Sequence, residues 1–318
     1  MQLRFGYVSN ALALYEASPA RTMTYATWTK LSKEEREAKL LAITESNLKS
    51  TLRALHYNIA HEIDLYRMSS SIVPLATHPE AKWDYISPFR KLFKQIGDLV
   101  KNHQLRVSFH PNQFTLFTSP KTHVTENAVV DLDYHVSMLE AMGLDDRSIV
   151  NIHIGGAYGD KEETLKRFDK NFHTIPKQVR SHVTLENDDK TYTAKETLET
   201  CERVGVPFIF DYHHHLANPG DGLPDDFFER IHETWKSRGL LPKFHLSSPK
   251  SESAYRSHAD YVDRDFALPF INMLKEYGED ADIMIEAKKK DLAALQLVEE
   301  LSAVRGVKRL SGGSLQWK

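Results

Sequence analysis

Cysteine is nearly missing from this sequence: Cys201 is the only one in 318 residues. A single thiol can close no intramolecular disulfide and build no cysteine-rich zinc site, so the chain lacks a cross-linked framework and suits a reducing compartment, with the cytoplasm expected. Long apolar runs are missing too. No stretch nears the roughly 18 residues of a membrane span, so no membrane partner is expected. The N-terminal MQLRFGYVSNALALYEA has no basic start before an apolar segment and reads as structure. Net charge is almost absent, since 41 Lys and Arg face 44 Asp and Glu for a balance of −3, which excludes a polybasic coat. Hydrophobic residues at 41% and charged residues at 27% exclude a disordered chain, a collagen-like repeat and a heavily charged coiled coil.

What is present is a regular alternation. Short runs rich in Val, Ile and Phe at 3–9, 65–73, 106–110, 149–154, 183–186, 207–212, 242–246 and 282–286 read as strands. Amphipathic segments fill the gaps. The first opens with Ser32-Lys33-Glu34-Glu35, a capping box, and runs to about Ala60. Others are expected at 88–102, 126–142, 161–179, 194–204, 224–237, 264–277 and 291–304. Eight such units without a Pro/Gly/Ser linker predict an α/β protein made of a single (β/α)8 TIM barrel spanning 1–318. A doubly wound sheet would want G-x-G-x-x-G after the first strand, and Gly6-Tyr7-Val8-Ser9-Asn10 lacks that spacing.

In such a barrel the catalytic groups lie where the strands end at their carboxyl side. The chain has 16 histidines, and six successive strands end in a metal-type ligand. These are His110 in FHPNQF, His153 in NIHIGGAYGD, Glu186 in TLENDD, Asp211 in IFDYHHH, His245 in KFHLSS and Glu286 in IMIEAKKK. Imidazoles and shared carboxylates suit Zn, Mn or Fe, and several carboxylates among a ring of histidines point to more than one ion. Clustered divalent ions serve in-line displacement at phosphorus, so phosphodiester hydrolysis is the expected reaction. His214 and His215 after Asp211, together with His258, are candidates for a further ion, with His213 adjacent. His78 in ATHPE is a weaker candidate for a catalytic role, set against a surface or capping one.

Taken together, FGYVSN, YRMSSSIVPLATH, FHPNQF, HIGGAYGDK, LENDD, DYHHH, KFHLSS, SHADYV and IMIEAKKKD resemble, in order and spacing, the UV damage endonucleases, a family in the barrel superfamily of endonuclease IV and the sugar-phosphate isomerases. The resemblance covers nearly the whole chain. It implies a nick immediately 5′ to cyclobutane pyrimidine dimers and 6-4 photoproducts in duplex DNA, leaving a 3′-hydroxyl. It also implies two or three divalent ions per chain, Mn2+ first with Zn2+ or Fe2+ as alternatives. The ligands it carries over are His110, His153, Glu186, Asp211, His214, His245, His258 and Glu286, with Glu186 as a bridge. Where endonuclease IV has an Asp two residues before the histidine matching His258, this chain has Arg256.

Lys243, two residues before His245, faces the same side of its strand, where an ammonium would be repelled by the ions. It is expected to be neutral or carboxylated on its amine. The family's damage-probing pair corresponds to Gln113 and Phe114, an amide to fill the hole and an aromatic to stack, with Tyr7 and Asn10 similarly placed after the first strand. Lys161, Lys250, Arg256 and Lys288 are candidates for phosphate contacts on a face that can be basic although the whole chain is not. The rival readings are an abasic-site endonuclease, a metal-dependent sugar isomerase and a damage-binding module that never cuts. Nothing demands an oligomer, and a monomer is expected.

Overall fold

Residues alternate in side-chain direction along β1 (Gln2–Val8), so Phe5 and Tyr7 face outward to the helices while Gly6 and Val8 face the barrel axis. The computed structural model describes all 318 residues. After β1 come α1 (Tyr25–Trp28), α2 (Lys33–Ala60), β2 (Leu65–Arg67), α3 (Arg90–Asn102), β3 (Arg106–Phe109) and α4 (Thr122–Ala141). The middle of the chain forms β4 (Ile149–His153), α5 (Lys161–Phe172), α6 (Lys177–Arg180), β5 (Val183–Glu186), α7 (Ala194–Val204), β6 (Phe208–Asp211) and α8 (Tyr212–Ala217). Then follow α9 (Phe227–Lys236), β7 (Lys243–Leu246), α10 (Arg264–Tyr277), β8 (Ala281–Ile285), α11 (Lys290–Ser302), β9 (Val307–Arg309) and β10 (Ser314–Trp317). Strands β1 to β8 are parallel in the order β1 to β8, and pairing of β1 with both β2 and β8 closes the barrel, as the alternation predicted.

The helices are fixed by local chemistry. Ser32 Oγ accepts from Glu35 N at 3.2 Å while Glu35 returns a carboxylate oxygen to Ser32 N at 2.8 Å, the predicted capping box. Four expectations change. The second strand stops at Arg67, because beyond it backbone carbonyls turn to side chains: Asn47 Nδ2 donates to Ile72 O at 2.9 Å. The helix expected over 161–179 breaks after Phe172, ahead of Pro176, which can donate no backbone bond. Asp211 caps the unforeseen short α8, accepting from His214 N at 2.7 Å. Lastly, β9 and β10 form an antiparallel hairpin, with β10 covering the part of β1 from Gln2 to Arg4.

The interior of this barrel is polar where many are filled by branched apolar side chains. Only Val8, Leu65 and Met284 form an apolar cluster there. At the amino end Asp282 takes both Arg4 (Nε to Oδ1, 2.7 Å) and Arg106 (Nη1 to Oδ2, 2.5 Å), and Arg106 lies over the Trp235 ring at 4.7 Å. One layer higher, Lys243 Nζ donates to Ser108 Oγ at 2.7 Å and Thr184 Oγ1 to Asn151 Oδ1 at 2.9 Å. The ligand-type residues form the layer above. Asp282 is fully buried and is the only carboxylate paired with Arg106. Asp282→Asn therefore leaves a desolvated guanidinium uncompensated and should cost about 3–5 kcal/mol in urea unfolding. Arg4→Met, at a quarter-exposed position, should cost clearly less.

Candidate metal centre

Strand register brings the site together. His153 pairs across to Glu186 and Asp211 to His245, so residues distant in sequence stand at one height around the mouth. Three triplets have ligand atoms close enough to share an ion: His110, His153 and Glu186; Glu186, Asp211 and His214; and Glu186, His245 and Glu286. Glu186 belongs to all three. Its Oε2 lies 3.4 Å from His110 Nε2 and 3.1 Å from His245 Nδ1, and its Oε1 lies 3.4 Å from His214 Nδ1. Glu286 Oε1 is 3.0 Å from His245 Nδ1 and Asp211 Oδ2 is 3.8 Å from His214 Nδ1.

Two asparagines hold these carboxylates in place. Asn151 donates to Glu186 Oε2. Asn187 locks the backbone of Asp211 from both sides, accepting from its N at 2.8 Å and donating to its O at 2.9 Å. Neither was foreseen, although Asn187 stands next to Glu186. Arg67, also unforeseen, pairs with Glu286 through Nη1.

The electrostatics describe a site short of cations. Burial works against ionising Glu186, yet the imidazoles of His245 and His153 hold it well below the usual carboxylate range. Burial likewise opposes charge on Glu286, where Arg67 and His245 win. Against the same burial cost, Asp211 and Glu186 hold His214 well above its ordinary value. His110 has no such excess of anions, and burial pushes it down to about 4. Glu186 Oε1, Asp211 Oδ2, His110 Nδ1 and both His245 nitrogens are buried without a hydrogen-bond partner. Unpartnered nitrogen and carboxylate atoms converging in one place fit divalent ions, and they do not fit a finished hydrogen-bond network.

The other predicted residues have separate fates. His258 joins no triplet; its Nδ1 sits 2.6 Å from Glu286 O, which leaves its other ring nitrogen without a partner. His213 is a latch between Ser247 Oγ and Tyr255 O, at 2.7 Å to each. His215 packs on Phe210, and His78 stacks on Tyr25 at 4.0 Å, outside the triplets. Tyr7 requires correction: it has no exposed surface and its hydroxyl donates to Asn58 Oδ1 at 2.7 Å, so it cannot enter a base stack. Asn10 is half-buried and accepts from Ser9 Oγ at 2.9 Å.

By contrast Gln113 is exposed and Phe114 is 72% exposed. Asn112 Oδ1 accepts from Phe114 N at 2.9 Å and Thr115 Oγ1 bonds to Asp131, so the tip is presented by an anchored turn. Lys243 is buried with no carboxylate partner, and burial, Arg106 and Arg67 push its amine well below the usual range. Lys161 is paired with Glu196 and Arg256 with Asp189, while Lys250 and Lys288 are exposed and unpaired. No helix is long and apolar enough to cross a membrane.

The chain is 60% identical over 319 residues to the UV DNA damage endonuclease of Bacillus pumilus (strain SAFR-032) and 59% identical to that of Bacillus velezensis, covering all of each chain. The crystal structure of SacUVDE superposes with a TM-score of 0.83 at 30% identity, over 95% of this chain and all of that one. Endonuclease IV from Thermus thermophilus, at 13% identity and a TM-score of 0.56 over 95% of this chain and all of that one, shares the barrel fold. Residues 3–318 match the family described as UV-endonuclease UvdE, and the chain belongs to that family.

Proposed function

We propose that this protein is a metal-dependent endonuclease that cuts UV-damaged duplex DNA immediately 5′ to cyclobutane pyrimidine dimers and 6-4 photoproducts, leaving a 3′-hydroxyl. The observation that carries the reading is Glu186 shared by three ligand triplets at the open end of the barrel. Two or three divalent ions, Mn2+ first, would be held by those triplets with His258 at the rim. Bound there, they would supply Lewis acidity and an activated water for displacement at phosphorus. The names of the relatives support the substrate.

The chain's own residues do the rest. Phe114 stacks where a lesion is drawn out of the helix, and Gln113 offers an amide to the bases left behind. Lys250 and Lys288 hold phosphates without reading sequence, with smaller parts for Lys161 and Arg256, whose charges are already partnered. Asn10 after β1 adds a second polar probe, and His78 after β2 a weaker catalytic contact. A single barrel acting as a monomer leaves this face free for a duplex.

Lys243 is a candidate carbamate. A buried amine without a carboxylate partner is neutral enough to attack CO2: the nitrogen bonds to carbon, one proton leaves to solvent, and an anionic ligand group results.

With Mn2+, supercoiled plasmid should be nicked mainly after irradiation, and EDTA or His110→Ala should abolish the cut; cutting confined to depurinated plasmid would replace the substrate assignment. Phe114→Ala should lower discrimination between irradiated and untreated DNA. In metal analysis of the purified protein, Glu186→Gln should lose more ions than Asp211→Asn, since only Glu186 serves every triplet. Native mass spectrometry should show Lys243 heavier by one CO2, a mass that Lys243→Arg does not carry.

A further inference from the structure

Strands β3 to β8 each bring to the mouth a residue that the metal centre uses. Strand β2 brings an arginine. In the ladder Arg67 stands level with Val8 and Ser108, and its carbonyl accepts from Ser9 N at 2.8 Å, so its backbone is fixed on both sides. The side chain is 16% exposed at the mouth, beside Glu286. A guanidinium has five N–H donors. Only the bond to Glu286 Oε1 is made, and the rest of the fork has no acceptor in the protein.

A countercharge for Glu286 alone is a poor account of this residue. Glu286 already has His245 Nδ1 at 3.0 Å and would share an ion. A permanently charged fork at the mouth with most of its donors free makes sense when an anion arrives there.

We propose that Arg67 is a catalytic residue of phosphodiester hydrolysis, donating from its free edge to a non-bridging oxygen of the scissile phosphate while its other edge stays on Glu286. This rests on the phosphodiesterase reading above. In the reaction the water oxygen bonds to phosphorus, the bond from phosphorus to O3′ breaks, and O3′ leaves as the hydroxyl after taking a proton. Arg67 transfers no proton. It holds the extra negative charge that gathers on the phosphoryl oxygens, where a planar two-donor fork matches two oxygens as an ammonium cannot.

The test uses full-length Arg67→Gln and Arg67→Lys with Mn2+ on an irradiated duplex oligonucleotide, beside metal analysis and thermal melting. For Arg67→Gln, kcat should fall roughly 10²–10³-fold, as on loss of an oxyanion donor, with the ion content kept. Arg67→Lys retains a cation beside Glu286 and keeps fold and metals, yet should recover less than about a tenth of kcat. Full recovery of kcat by lysine, or loss of ions in proportion to activity in either variant, would reduce Arg67 to a holder of Glu286 and overturn the proposal. Wild-type protein unable to nick irradiated DNA would remove the phosphodiesterase reading and this one with it, whereas an active wild type with full recovery by lysine would remove this one alone.

Discussion

The rest of the structure depends on one carboxylate. Glu186 is buried at the end of β5, and an ionised carboxylate taken out of water costs several kcal/mol unless positive charge and hydrogen bonds answer it. Here the answer comes from three other strands and a short helix: His110, His153, His245, Asn151 and His214 all turn to this one group. In the free protein, the neighbouring carboxylates outweigh burial and shift His214 and His245 toward their charged forms, which answers part of the demand. Divalent ions would meet it better, because they would also satisfy the carboxylate and imidazole atoms that no protein group reaches.

That constraint explains the unusual interior. The three carboxylates at the barrel's mouth stand over a polar path where packed valine and leucine would be ordinary. The layers below the site supply it, with Asn151 and Thr184 supporting Glu186, Ser108 receiving Lys243, and Asp282 closing the amino end between two arginines. Stability and site geometry therefore share the same strands. The helices around the outside carry the ordinary apolar core, which leaves the axis free for this polar column.

The mouth is built differently. Its loop after β3 exposes Phe114 while the backbone is tied down by Asn112 and Thr115 on either side of the Gln113–Phe114 tip. Exposed aromatics on anchored turns lose little entropy on meeting a base, which suits the probing role proposed for Phe114.

Much of this was legible in the sequence because the signals are local. The period of strands and helices gives the barrel, the fold's rule about strand ends selects His110, His153, Glu186, Asp211, His245 and Glu286, and the ordered blocks identify the family. What needed the tertiary structure is everything set by direction in space. His213, His214 and His215 are consecutive, yet α8 turns each about 100° from the last, so one latches a loop, one meets Glu186 and one packs on Phe210. Tyr7 suggests a probe because it stands near a strand end, but alternation sends it outward to Asn58 under the helices. Arg67 carries no ligand signature and emerges only because barrel closure sets β2 near the end of β8, where its guanidinium meets Glu286. Periodicity along a chain fixes which elements form; which side chains share a point depends on how those elements close on one another.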